Sequence, residues 1–291
     1  MSNPHNTDLD RNPANYQPLT PISFLERAAD VYPQHTAIVH GSLERNYHEF
    51  YSRSLRLASA LSRKGIIRGD TVSVILSNTP AMLESHYGVP MCGAVLHSIN
   101  TRLDPETIAY QLDHSNSKAL IVDREFLETA KSSLKIAQVS PILIDYNDSE
   151  HQVSESLPNA TEYESFLLEG DENFQWLMPE DEWDAISLNY TSGTTGNPKG
   201  VVSHHRGAYL LAQGNAMIAS IKKHSVYLWT LPMFHCNGWC FPWTMSAIIG
   251  THVCLRQVRA APIWSSLKKN KVTHLCGAPI VMSTILSAND S

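Results

Sequence analysis

Apolar and polar positions follow two rhythms along this chain. Phe24, Leu25, Ala28 and Val31 recur at helical spacing behind Ser23 and Glu26, the pattern of a capping box, and Pro33 ends the predicted helix. Residues 36–39 and 45–47 flank His40-Gly41-Ser42 and predict a small hairpin. Phe50, Ser54, Leu57 and Leu61 mark a second helix. Arg63 and Lys64 stand where a helix C-terminus favours cations, and Gly65 stands where the helix stops. From Thr71 onward β-rich and helical runs take turns. Strands are predicted at 71–76, 94–99, 118–122 and 141–145, and helices at 81–91, 105–113 and 125–137. The alternation resumes with a strand at 185–190, a long helix within 204–222 and a strand at 226–231. The runs 239–249, 251–257, 262–270, 272–276 and 280–288 continue it. This spacing argues for an α/β chain of layered, largely parallel sheets with flanking helices.

Composition adds a few bounds. Of 291 residues, 43% are hydrophobic and 17% charged, enough for a buried core and far from the disordered range. No uncharged apolar window reaches the roughly 18 residues of a membrane span. The net charge of −6 argues against a nucleic-acid partner. That charge is unevenly placed: residues 145–184 hold 13 acidic side chains and no Lys or Arg, leaving all 22 basic residues against 15 acidic ones elsewhere. Such a stretch reads as a solvated connection between packed units, with a docking surface as the other reading. Cys92, Cys236, Cys240, Cys254 and Cys276 are odd in number and sit in apolar runs, as expected of reduced thiols in an intracellular protein. Residues 1–21, with Pro4, Pro13, Pro18 and Pro21 among Asp8 and Asp10, lack the order of a signal peptide and read as a flexible leader.

The chemistry concentrates in Tyr190-Thr191-Ser192-Gly193-Thr194-Thr195-Gly196-Asn197-Pro198-Lys199-Gly200. Four hydroxyls can donate to oxyanions, two glycines let backbone N–H groups approach a ligand, and Lys199 adds a point charge behind the rigid Pro198. The loop follows a predicted strand, where open α/β sheets place ligands. It is not a kinase-type nucleotide loop, because Pro198 precedes the lysine and Gly200 follows it. Thr191, Ser192, Gly193, Thr194, Thr195, Gly196 and Lys199 form the expected phosphate-binding set. A second stretch, Leu231-Pro232-Met233-Phe234-His235-Cys236-Asn237-Gly238-Trp239-Cys240, places His235 just past a predicted strand with Asn237 as a possible helix cap. Met233, Phe234 and Trp243 read as core. Cys236 and Cys240 beside His235 lack the spacing of a zinc site, so no metal-ligating set is expected. The adjacent His204 and His205 fall at a loop-to-helix junction.

Residues 188–202 resemble the signature of the AMP-binding, adenylate-forming superfamily, and the 231–240 stretch resembles the next motif of its acyl-CoA synthetase branch. Smaller echoes are Gly69-Asp70 with Val72, Val74 and Asn78, then Gly93-Ala94 and Gly277-Ala278-Pro279. The resemblance covers residues 20–291 and is nearest to plant acyl-activating enzymes acting on short-chain, medium-chain or aryl acids. It implies ATP-dependent activation of a carboxylic acid to acyl-AMP, then transfer to coenzyme A, with Mg²⁺ accompanying the ATP. His235 would lie near the acyl carboxylate and α-phosphate, and Trp239 would border the acyl pocket, acting as a gate in fatty-acyl relatives. The second motif carries no carboxylate to pair a substrate amine, which favours a free acid without one.

Members of that superfamily are considerably longer. Their Tyr-Gly-x-Thr-Glu and Thr-Gly-Asp segments, hinge and mobile C-terminal domain have no counterpart in residues 1–291. The sequence therefore reads as residues 22–291 of a partial N-terminal adenylation domain without the C-terminal domain, expected to expose apolar sheet edges. A noncatalytic nucleotide-binding or interaction protein on the same fold is the alternative reading. The acid, the oligomeric state and the choice between cytosol and peroxisome are left open.

Overall fold

A computed structural model describes residues 5, 7–191 and 197–287. Two sheets organise them. The larger has seven strands in the order β7-β6-β5-β3-β4-β8-β9, comprising β3 (Thr71–Ile75), β4 (Val95–Ser98), β5 (Ser117–Asp123), β6 (Ile142–Tyr146), β7 (Thr161–Glu162), β8 (Ala185–Tyr190) and β9 (Gly200–His204). All its pairings are parallel except that of β8 with β9. The smaller has the order β12-β10-β11-β1-β2, with β1 (Thr36–His40), β2 (Leu43–Asn46), β10 (Val226–Leu228), β11 (Thr251–Val253) and β12 (His274–Leu275). Here β1 and β2 form the predicted hairpin, and the other pairs are parallel. Every residue of β3 is buried, as expected of a central parallel strand covered on both faces.

The helices fill the layers. α1 (Ile22–Val31) starts one residue before the expected cap, and no side chain caps it: the Ser23 hydroxyl donates instead to the Thr20 carbonyl. α2 (Tyr47–Arg63) opens on a capping box of Asn46 and Glu49 that the sequence reading overlooked, and Gly65, at φ +90°, closes it. α3 (Pro80–Met91) is buried along its whole length. It carries a fully buried Glu84, which accepts from Arg45 at 2.5 Å, Arg53 at 2.7 Å and Tyr163 at 2.8 Å. α4 (Pro105–His114) and α5 (Leu127–Ile136) lie within a few residues of their predicted bounds.

The acidic stretch is not a solvated connection. It supplies the last two residues of β6, all of β7 and α6 (Tyr163–Leu168), whose Tyr163, Phe166 and Leu167 are buried in the main core. Its carboxylates pair with the basic remainder: Glu164 with Arg53, Glu172 with Arg56, Glu169 with Lys64, Asp145 with Arg124 and Asp148 with Arg256. Charge complementarity draws this segment onto the body, while its aromatic side chains supply the packing. The edge strand β9 exposes Val201 and Val202 at 49% and 61%, in keeping with the expected apolar edge. Leader residues 7–18 are exposed or half-buried. Beyond them the Leu19 N–H donates to Glu182, and buried Thr20 shares a hydrogen bond of 2.9 Å with His205. All five cysteines are free thiols.

Candidate active site

β8 leads into the loop expected to bind phosphate. Tyr190 faces Gly200 in the antiparallel register, and the Thr191 N–H donates to the Lys199 carbonyl at 3.0 Å, so residues 191–199 close a hairpin. The sequence reading missed β9, the returning arm of that hairpin. Of the expected phosphate-binding set, Thr191 and Lys199 stand exposed at the two mouths of the loop. Ser192, Gly193, Thr194, Thr195 and Gly196 lie outside the described residues. Lys199 has no carboxylate partner among the described residues. Both stems are gripped by α4: the Tyr110 hydroxyl donates to the Pro198 carbonyl at 3.5 Å, and His114 shares a 2.7 Å hydrogen bond with the Tyr190 hydroxyl. Burial, and then the nearby Tyr110, push the Tyr190 phenol up to about 12.

The second motif is tied to the same strand. Ser187 and Asn189, two residues apart on one face of β8, meet it directly. Asn189 donates to the Phe234 carbonyl at 3.2 Å, and Ser187 accepts from Asn237 at 2.7 Å. Asn78, beyond the C-terminal end of β3, holds the approach to His235 with three hydrogen bonds. It donates to the carbonyls of Trp229 and Leu231 at 3.0 and 2.8 Å and accepts from the Met233 N–H at 2.8 Å. The sequence reading had flagged Asn78 without giving it a role, and it did not mark Ser187.

Asn237 is not a helix cap. Cys236, Asn237, Gly238, Trp239 and Cys240 have φ of +48°, +53°, +55°, +55° and +63°, so the chain makes a left-handed turn before the helix Phe241–Ala247 begins. A left-handed residue with a side chain costs roughly 1–2 kcal/mol, less for Asn, so this turn depends on its surroundings. Gly238 is required at its centre: a Cβ there would lie 2.7 Å from the Trp229 ring. The turn leaves Trp239 53% exposed, while Met233 and Trp243 are buried in the core as expected. Phe234, expected in the core, is half-buried and faces the cleft.

That cleft, about 1040 Å³, opens beyond the C-terminal ends of strands from both sheets, where α/β folds place ligands. His235 and Trp239 both line it. Leu231, Phe234, Phe241 and Val258 add apolar surface, Arg102 and Arg259 add positive charge, and no carboxylate is among its described lining residues. Thr191 and Lys199 do not line the described cavity. On one wall Arg256 binds Asp123 at 2.8 Å, Asp148 and Glu125, and Asp148 also bonds to His40 at 2.9 Å. Burial alone would raise the Asp148 carboxyl, but His40 and Arg256 hold it down at about 2. This network joins β1 of the smaller sheet to the ends of β5 and β6 in the larger.

Known proteins are similar to this chain in sequence and fold. The chain is 49% identical over 292 residues to the peroxisomal acetate/butyrate–CoA ligase AAE7 of Arabidopsis thaliana, covering 97% of this chain and 51% of that protein. It is equally similar, at 49% over 292 residues, to the acetate–CoA ligase CCL3 of Humulus lupulus, again over 97% and 51%. The chain thus spans about half the length of these relatives. Among solved structures, the anthranilate CoA ligase AuaEII in complex with anthranoyl-AMP superposes with a TM-score of 0.85 at 21% identity, over 95% of this chain and 53% of that one. At that identity the likeness speaks for the fold, an adenylate-forming layered α/β architecture. The profile of the AMP-binding enzyme family matches residues 25–291, and the chain belongs to that family.

Proposed function

We propose that this chain carries the acid- and phosphate-binding part of an ATP-dependent acid–CoA ligase. The carrying observation is the shared strand: β8 ends in the loop of Thr191 and Lys199, and through Ser187 and Asn189 it also holds the His235 segment. In this reading an acid enters the cleft along its apolar wall, with its carboxylate toward His235. A carboxylate oxygen attacks the α-phosphorus of ATP, the bond to pyrophosphate breaks, and a mixed anhydride with AMP results. The thiolate of coenzyme A then displaces AMP to give the thioester. Lys199 and the loop would hold the β- and γ-phosphates as charge accumulates there, by positioning and electrostatics. Asn78 fixes the backbone before His235.

The absence of carboxylates from the described cleft lining supports an acid without an amine. The acids in the relatives' names, acetate and butyrate for AAE7 and acetate for CCL3, support a short one. Among the described residues no group of three or more His, Cys, Asp or Glu converges as a metal site. Mg²⁺ therefore enters only as the companion of the nucleotide phosphates, with no step assigned to it. An intracellular setting, cytosol or peroxisome, accords with the free thiols and the peroxisomal relative. Among the described residues no helix is long and apolar enough to cross a membrane.

The test is acid-dependent ATP–pyrophosphate exchange with acetate, butyrate, benzoate and cinnamate. Exchange that Lys199→Ala lowers by roughly a hundredfold or more is the expected result. Exchange indifferent to that change removes Lys199 from the phosphate site. A folded chain that binds ATP but supports no exchange with any acid favours the noncatalytic reading.

A further inference from the structure

One amide in the cleft is not used by the proposed chemistry. Asn215 stands on α7 (His205–Ile218) and lines the cleft with Trp239. Its Nδ2 donates to the Trp239 carbonyl at 2.8 Å and to the Thr244 hydroxyl at 3.3 Å. Thr244 is fully buried in the helix Phe241–Ala247 and donates in turn to the Cys240 carbonyl at 3.0 Å. The last two carbonyls of the left-handed turn are thus held by a network that starts on another helix.

The turn needs such holding. Cys236, Trp239 and Cys240 all keep positive φ, a state that persists only where the surroundings over-determine it. The middle of the run is fixed by Asn237 on Ser187 and by Gly238 under the Trp229 ring. Asn215 fixes its end, next to the one tryptophan among the described lining residues. The Trp239 indole is 53% exposed, so its backbone decides where it stands more than packing around the ring does.

We propose that Asn215 is a positioning residue that fixes Trp239 in the cleft and so sets the length of acid the cleft accepts. The inference rests on reading the cleft as the acid site. Without the amide, the turn can relax toward right-handed or extended φ, which swings the Cα–Cβ bond of Trp239. The indole withdraws, the cleft lengthens, and longer acids gain over short ones.

The 291-residue chain labelled with 5-fluorotryptophan tests this, with the Trp239 resonance assigned by Trp239→Phe. Acetate, butyrate, hexanoate and octanoate are titrated while that resonance is followed by fluorine NMR. Asn215→Asp keeps the size and removes both donated hydrogen bonds; Asn215→Ala serves if the aspartate variant does not fold. The expected result is a rise of roughly tenfold in the hexanoate-to-acetate affinity ratio, a span of the size one methylene group commands in a pocket. Thr244→Val, which leaves the bond to Trp239, should give a smaller rise. A folded Asn215 variant with the wild-type ratio overturns the proposal and leaves the acid-site reading standing. A wild-type Trp239 resonance that ignores every acid overturns the acid-site reading and the proposal together.

Discussion

Asn78 offers the most direct check on how the site is built. It is 7% exposed and makes three hydrogen bonds to the backbone of the segment leading to His235, at 2.8–3.0 Å. Asn78→Ala removes all three partners at once. A hydrogen bond contributes a net ~1 kcal/mol, and a buried group left without a partner costs ~1–3 kcal/mol. Met233 is fully buried, so its N–H falls at the costly end, whereas the Leu231 carbonyl borders the cleft and can take water. The total is about 3–4 kcal/mol, or a Tm lowered by roughly 5–7 °C for a chain of this length. Asn78→Asp sharpens the test. It keeps an acceptor for Met233 but turns a negative oxygen toward two carbonyls, so it should be no better than alanine. Urea unfolding and calorimetry of the three proteins read the effect. A loss below ~1 kcal/mol for Asn78→Ala, or an aspartate variant as stable as wild type, would refute the bridging role.

Other outcomes follow from the same structure. Gly238→Ala places a methyl group 2.7 Å from the Trp229 ring and should cost ~1–3 kcal/mol in urea unfolding; an unchanged midpoint would deny the close approach. Burial holds His86 and His205 at about 4 and His97 and His252 at about 3, all below their ordinary 6.5. Below pH 6.5 the unfolded chain binds more protons, so stability is fullest above that pH and falls toward pH 3–4, by up to ~1.4 kcal/mol per pH unit for each histidine. Asp148, depressed from 3.8 to about 2, adds stability above pH 3.8 that disappears as pH drops through 2. A urea midpoint that stays flat from pH 7 to 5 would contradict the histidine assignment. Finally, Cys236 is exposed whereas Cys92, Cys240 and Cys254 are buried, with burial pushing the Cys92 and Cys240 thiols up to about 12. Partial burial raises the Cys236 thiol too, and Cys276 is half-exposed. A disulfide reagent at pH 8 should therefore show a fast phase that Cys236→Ser diminishes and that Cys236→Ser with Cys276→Ser abolishes; a fast phase surviving the double change would place the reactive thiol elsewhere.

How legible the molecule is from its sequence depends on whether a feature is local. β8 was predicted at its observed bounds and α4 to within a residue, because burial on both faces of a strand or one stripe of a helix leaves its period in the chain. β9 was lost because Gly-Val-Val-Ser-His, between a polar loop and a helix, looks like part of the passage from one to the other. The charges of residues 145–184 masked Tyr163, Phe166 and Leu167, although the partners of those charges include Arg53 and Arg56 on one distant helix and Lys64 at its C-cap. The left-handed turn has no periodic signal, and Asn237-Gly238 marks only its centre. The motifs themselves stood out, but Asn78 and Met233 are 155 residues apart, and no local pattern announces that one will hold the other.

The strand β8 also acts as a ruler. Its side chains at 187 and 189 hold one motif, and its end at 190 releases the other, at a rise of about 3.3 Å per residue. The spacing between the His235 segment and the start of the loop at Thr191 is therefore written in strand residues and does not depend on loop length. A residue inserted within β8 would turn Ser187 or Asn189 to the opposite face and detach both motifs from one another, whereas one inserted near Asn197 would leave that register unchanged and alter the loop alone. The count of residues along the strand, and not the loop, sets how far apart the two segments stand.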